Sequence, residues 1–258
     1  MDASTSARSR LLLASRASAH VRRGSQGGQE EVRLNRWLSP DVYLGVADLV
    51  GTDGWLCDHF VVMRQMPDDH RLAVLANSGQ NIDAVLHDVA GQLSSLHRRS
   101  PALEDPRHYA GAHAVRQLSM AGLDALVDCP DLVSEQVRER SRELVLHWLA
   151  GLGPVLDERV GQGRVFEGHG DLLADDIFAL PDGARTLDCL EFDKGLRICD
   201  GLADASFLAM DLERLGRPAF ARTFLTACED LASERPAASL EDFYLAHRAH
   251  IRSKVTCL

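Results

Sequence analysis

The chain has 258 residues, 45% of them apolar and 26% charged, and a formal net charge of −10. That length can bury a substantial core as one large or two-lobed domain. The acidic balance argues against nucleic acid or an anionic membrane surface as a partner. No apolar run reaches the roughly eighteen residues of a membrane span, so none is expected.

The six cysteines, at 57, 129, 189, 199, 228 and 257, form no CxxC pair. The pattern fits reduced thiols in a cytoplasmic protein rather than a zinc site or a disulfide framework. Lys194 and Lys254 are the only lysines, so 26 of the 28 basic residues are arginines and residues 1–193 contain no lysine.

In chain order, residues 1–28 show no sustained periodicity and are expected to be disordered or atypical. The run Leu11–Ala14 is too short for a signal-peptide core, and Gly24–Gly28 reads as a flexible linker. Helical spacing begins at Gln29 and stops before Pro40. Two strands follow, over 42–50 and 55–66, joined by the turn Gly51-Thr52-Asp53-Gly54. Beyond Pro67 the pattern is mainly helical. Ile82, Val85, Leu86, Val89, Leu93 and Leu96 recur on one face. A further helix is predicted over 115–127. A longer one begins near Leu132, carries Val133, Val137, Leu144, Val145 and Trp148 on one side, and is interrupted or ended at Gly151 and Gly153-Pro154. The stretch 164–192 reads as a polar loop and a hairpin, with strands Ile177–Leu180 and Thr186–Phe192 around Pro181-Asp182-Gly183. Three helices close the chain, over 202–215, 218–232 and 239–255. The order predicts an α+β fold with two lobes: a partial N-lobe over 29–66 and a helical C-lobe over 67–258.

The chemistry concentrates in Gly168-His169-Gly170-Asp171-Leu172-Leu173-Ala174-Asp175-Asp176. Phosphoryl transfer needs a carboxylate near the attacking hydroxyl and further oxygen ligands for Mg²⁺. Asp171 and Asp176 stand five positions apart, the spacing of a catalytic Asp and a following metal ligand in kinase-type loops. A third acidic ligand is expected after the hairpin, where Asp188 and Glu191 are the candidates. Three positions apart on a strand, they would face opposite sides. Glu191, nearer the strand end, is preferred, with Asp188 in reserve.

This loop is similar to the His-Gly-Asp…Asn signature of the aminoglycoside phosphotransferase-like family. The run Leu187-Asp188-Cys189-Leu190-Glu191-Phe192-Asp193 through Asp204 and Asp211, with Glu31–Val46, Val62–Pro67 and Tyr244–Val255, resembles the kinase-like domain that precedes a P-loop ATP-binding domain in many bacterial proteins. The resemblance covers about residues 30–258. It implies a protein-kinase-like two-lobed fold with a truncated N-terminal lobe, and a phosphotransferase acting with ATP and Mg²⁺ on a hydroxyl of a small molecule. It implies Asp171 as base and Asp176 and Glu191 as metal ligands. It also implies that the backbone of Phe60–Met66, including Met63 and Arg64, meets adenine, and that Glu31 is the helix glutamate that pairs with a phosphate-binding lysine. His169 would support the loop.

The chain departs from the family in two places. Asp176 stands where the family has Asn, and no lysine precedes Glu31; an arginine such as Arg22 or Arg23 is a candidate substitute, although its planar group replaces a point charge poorly. A degenerate kinase serving as a binding or regulatory module is the alternative reading. A shortened or mis-started chain is a further expectation.

The remaining polar residues have plainer readings. Asp200 or Asp204 is expected to cap a helix. Arg197 is expected to bind phosphate or pair with a carboxylate, and Asp211 and Glu213 to form a solvated or ion-paired helix face. Packing roles are expected for His97, His113 and His147, surface positions for His247 and His250, and small core positions for Cys189 and Cys199.

Overall fold

A computed structural model describes residues 17–22, 25–131 and 133–256. The fold is α+β, as expected, and the chain divides into two compact units. The first comprises the described residues up to Gln80 together with Ala174–Asp193, and the second comprises Asn81–Leu173 and Lys194–Leu258 as far as they are described. The division between the compact units falls at 80/81, with the hairpin in the first unit, whereas the sequence pattern sets its boundary at 66/67.

The first unit is built on a three-stranded antiparallel sheet in the order β1 (Ala17–Arg22), β3 (Leu56–Arg64), β2 (Tyr43–Val50). The β2–β3 turn forms because Gly54 adopts φ +84, which a glycine tolerates, and Asp53 Oδ1 accepts a hydrogen bond from Trp55 N at 3.1 Å. Helix α1 (Ser25–Asn35) lays Val32 against Val42, Tyr43, Val61 and Met63. Phe178 and Leu187, from the strands β5 (Ile177–Leu180) and β6 (Gly183–Thr186) and the residue just after them, complete this core.

Two expectations are corrected here. Strand β1 and the first turn of α1 lie inside residues 1–28, which were read as disordered or atypical, and residues 1–16 and 23–24 lie outside the described residues. Ala17, Ala19 and Val21 alternate with Ser18, His20 and Arg22, but two of the three apolar residues are alanines, so the strand carries only a weak signal. Its pairing with β3 over six residues supplies backbone hydrogen bonds that a hydrophobic pattern does not encode. The hairpin strand also ends at Thr186 rather than Phe192, and Asp188 has φ +62. Strand alternation therefore cannot decide between Asp188 and Glu191. The first unit also holds the short helix α2 (Leu72–Asn77).

The second unit is mainly helical: α3 (Asp83–Arg98), α4 (Pro106–Ala110), α5 (Ala112–Ala125), α6 (Glu135–Gly161), the short α7 (Lys194–Arg197), α8 (Gly201–Arg214), α9 (Pro218–Ala232) and α10 (Ala238–Thr256). The predicted face of α3 is buried at Leu86, Val89, Leu93 and Leu96. Among these elements runs a two-stranded ladder of β4 (Val165–Glu167) and β7 (Ile198–Asp200). Helix α6 continues through Pro154, against expectation. A proline inside a helix costs about 3 kcal/mol, but Leu149, Leu152, Leu156 and Val160 carry one buried face across it. In the N-terminal part of α6 the predicted side is not uniformly buried: Val145 is buried, while Val137 and Leu144 are exposed. The three closing helices fall within one or two residues of their predicted limits.

Candidate functional site

In the second unit the loop after β4 is fixed by a carboxylate from α8. Asp204 is fully buried, and its two oxygens accept hydrogen bonds from His169 N and Gly170 N, each at 2.9 Å, while His97 Nε2 donates to Oδ2 at 2.9 Å. Burial pushes this carboxyl up, but the hydrogen bond from His97, the electrostatic influence of the His97 and His169 imidazoles and the Gly170 amide outweigh it and hold the pKa at about 2. Gly168 is required by this approach, since a Cβ there would stand 2.1 Å from Asp204 Oδ2. Gly170 takes φ +85, a second position that favours glycine.

Asp171 follows directly and is partly exposed, its amide donating to His169 Nδ1 at 3.4 Å. His169 is fully buried. The loop also gains a backbone bond from Gly168 N to Arg197 O at 2.9 Å. The Arg197 side chain pairs with buried Glu167 at 2.7 Å, and Lys194 Nζ lies 3.5 Å from the same carboxylate. Of the two roles open to Arg197, the structure shows the carboxylate pair.

His97 was the residue that sequence reasoning undervalued. It is 107 positions from Asp204 and lies on an ordinary amphipathic helix, so no local signal marks it. Asp200 is the helix cap, accepting from Leu202 N at 2.9 Å, while Asp204 takes the loop amides instead. Asp211 is buried and paired with Arg214 at 2.8 Å, which corrects the solvated option. His247 is also buried rather than on the surface, with its ring against Phe243 and Nδ1 3.1 Å from Ser119 Oγ. Burial, with Arg248 and His250, pushes its pKa down to about 3.

In the first unit the segment after β6 is fixed by neutral groups. Ser39 Oγ donates to Thr186 O at 2.8 Å, and Cys189 N donates to Asn35 Oδ1 at 2.9 Å. Asp188 N donates to Tyr43 Oη at 3.1 Å. Asn35 Nδ2 in turn donates to Glu31 O at 2.9 Å. Leu187 N donates to Asp176 O at 2.9 Å, closing the base of the hairpin. Burial pushes the Tyr43 phenol up, and the charges of Glu31, Asp188 and Asp176 add to that, despite the opposing Asp188 hydrogen bond. The unit thus gathers three of its acidic residues around one buried ring.

Glu31 is buried on α1, while Asp176, Asp188 and Glu191 are partly exposed. Met63 is buried in the core at the end of β3. Arg64, the next residue, is exposed and pairs with Asp41 at 3.0 Å. Arg22 ends β1, in register with His59, and Arg23 lies outside the described residues. Asp171 belongs to the second unit and Asp176 and Glu191 to the first. Among the described residues, no group of three or more His, Cys, Asp or Glu side chains is placed to hold one metal ion. Among them, too, no helix is long and apolar enough to cross a membrane.

No family model matches the chain. Uncharacterized proteins of Mycobacterium bovis and of two Mycobacterium tuberculosis strains are each 37% identical to it over 231 residues, 88% of this chain and 46% of theirs. The chain therefore spans about half the length of the curated relatives it matches. A solved structure of the GDP and kanamycin complex of an APH(2″) protein has 14% identity and a TM-score of 0.49, covering 98% of this chain and 95% of that one. The GDP complex of a wild-type aminoglycoside 2′-phosphotransferase has 15% identity and a TM-score of 0.47, again covering 98% and 95%. In its His169-Gly170-Asp171 loop, the hairpin after it and its order of elements, the chain resembles aminoglycoside phosphotransferase-like proteins of the protein-kinase-like fold.

Proposed function

We propose that this chain carries the catalytic machinery of a phosphotransferase that moves the γ-phosphoryl group of ATP to a hydroxyl of a small molecule. The observation that carries the reading is the loop itself. A buried, ionised Asp204 holds the His169 and Gly170 amides, leaving partly exposed Asp171 next in line on a fixed backbone. Phosphoryl transfer relies chiefly on positioning and electrostatics, so a rigidly presented carboxylate is the feature it requires.

In this reading Asp171 orients the acceptor hydroxyl and takes its proton as the oxygen attacks phosphorus and ADP leaves. Asp176 and Glu191 supply oxygen ligands for Mg²⁺. Asp188 is the second candidate for the latter role, because it shares the surroundings of Tyr43 with Asp176. Partly exposed carboxylates suit Mg²⁺, which keeps several waters and needs only one or two carboxylates besides the substrate phosphates. When bound, the ion neutralises charge on those phosphates. The backbone around Met63 and Arg64 would meet the adenine, and Glu31 would stand for the helix glutamate that pairs with a phosphate-binding lysine. A cytoplasmic setting, with ATP and reduced thiols, fits this chemistry.

Replacing Asp171 by Ala is expected to abolish ATP-dependent phosphorylation while leaving the melting temperature unchanged. Unchanged turnover would overturn the assignment. One observation favours a second reading, a nucleotide- or ligand-binding module without turnover: the chain has no lysine before Lys194, and Lys194 pairs with Glu167. Calorimetry with Mg-ATP followed by an ADP-release assay separates the two, since binding without turnover favours the module.

A further inference from the structure

The second unit contains a cavity of about 220 Å³ that the proposed chemistry does not use. It lies where the C-terminal turns of α3 and α9 meet the start of α8 and the end of α6. Its apolar lining includes Leu93, Phe166, Leu202, Ala205 and Leu231. Pockets that take drug-sized ligands run to roughly 300–1,000 Å³, so an occupant here is small.

The charges around the cavity are unevenly paired. Arg159 is tied to Asp200 at 2.5 Å and to Glu234 at 3.2 Å, and Arg164 lies 3.3 Å from Glu234. Glu229 is held by Arg222 and Arg235. Arg98 differs. Its guanidinium donates only to the hydroxyls of Ser94, at 2.6 Å, and Ser95, at 2.9 Å, and among the described residues no carboxylate pairs with it. The cavity therefore offers an apolar body site and one uncompensated cation at its edge. A cation so placed favours an anionic ligand, and the apolar lining favours one with a hydrocarbon body.

One wall of the cavity is also the support of the loop. His97 lines it and donates to Asp204, the carboxylate that holds His169 N and Gly170 N. The His97 ring stacks on Phe166 with centroids 4.9 Å apart and 7° between planes. A Cβ on Gly201 would stand 3.1 Å from Phe166 and 3.2 Å from His97 Nδ1, so these three residues form a close-packed block.

We propose that the cavity is a regulatory site for a small amphipathic carboxylate. Its carboxylate pairs with Arg98 and its apolar body packs on Leu93, Leu202 and Leu231. Occupancy confines the His97–Phe166 block and, through Asp204, reduces opening of the His169-Gly170 loop. A ligand that binds only the closed arrangement stabilises it by mass action.

Benzoate titrated into the full chain tests this without any activity assay, so the result stands apart from the phosphotransferase reading. Saturable one-to-one binding is expected, with exchange of the His169 and Gly170 amides slowed about tenfold at saturation. Arg98→Gln, an exposed position, should keep the wild-type melting temperature and weaken benzoate about tenfold. Neutral benzamide should bind wild type and variant alike. Absence of saturation, or equal benzoate affinity in Arg98→Gln, would overturn the site. Binding with unchanged loop exchange would overturn the coupling.

Discussion

The two units fix their loop backbone by opposite means. In the first, residues 186–189 are tied by the neutral side chains of Ser39, Tyr43 and Asn35. In the second, residues 169–170 are tied by one buried carboxylate that also takes a histidine. Neutral tethers each contribute about 1 kcal/mol and respond little to pH. A buried charge concentrates the whole anchorage in one group, because removing it strands several partners at once, and it carries its pKa into the stability of the fold.

That contrast can be broken most severely at Asp204. Replacing it by Ala leaves two loop amides and His97 without their acceptor, and is expected to cost about 3–5 kcal/mol in denaturant unfolding. It should also expose the 168–171 amides to exchange. A loss below about 1 kcal/mol would show that the charged anchor is no stronger than a neutral tether.

Acid should act on the second unit first. His247 is neutral in the folded chain, with its pKa near 3, against 6.5 for an ordinary imidazole. The unfolded chain takes up the proton first, so stability present above pH 6.5 is lost as pH falls toward 3, at about 1.4 kcal/mol per pH unit. Denaturant midpoints across that range should fall in wild type and fall less in His247→Asn, where His250, also held below the usual imidazole value by burial, still contributes. Asp204 adds a later loss. Its folded pKa of about 2 lies below the ordinary 3.8, so its contribution is present above pH 3.8 and disappears as pH falls toward 2. The difference amounts to about 2 kcal/mol, and Asp204→Asn should lack that step.

The smallest effect is expected in the first unit. Tyr43→Phe removes the acceptor of Asp188 N and should cost about 1 kcal/mol, equally at pH 5 and pH 8. A marked pH dependence of that loss would mean that the acidic residues around the ring, rather than the hydrogen bond, set its value.

Much of the second unit was legible because its helices bury regular stripes. Leu86, Val89, Leu93 and Leu96 announced α3, and the closing helices followed from the same spacing. Pro154 misled, because a local rule about proline gave way to a buried face that continues on both sides of it. Strand β1 is hard to read from the sequence because its alternation rests on two alanines and one valine, and its partner strand lies about forty positions away. Asp188 and Glu191 were judged as strand residues, whereas the chain has left the strand and Asp188 turns to a positive φ.

By itself the sequence determined the acidic loop, the spacing of Asp171 and Asp176, the α+β order and the absence of an early lysine. These depend on neighbours in the chain, where periodicity and motif spacing act directly. Only the tertiary structure decided what holds the loop. His97, Asp204 and Gly168 are widely separated in sequence, and their contact exists only because the helical core brings α3 and α8 to the end of β4. The same holds for Asn35 and Cys189, 154 positions apart. Burial then turns such meetings into strong constraints, since a charge or amide removed from water must find its partner there or destabilise the fold.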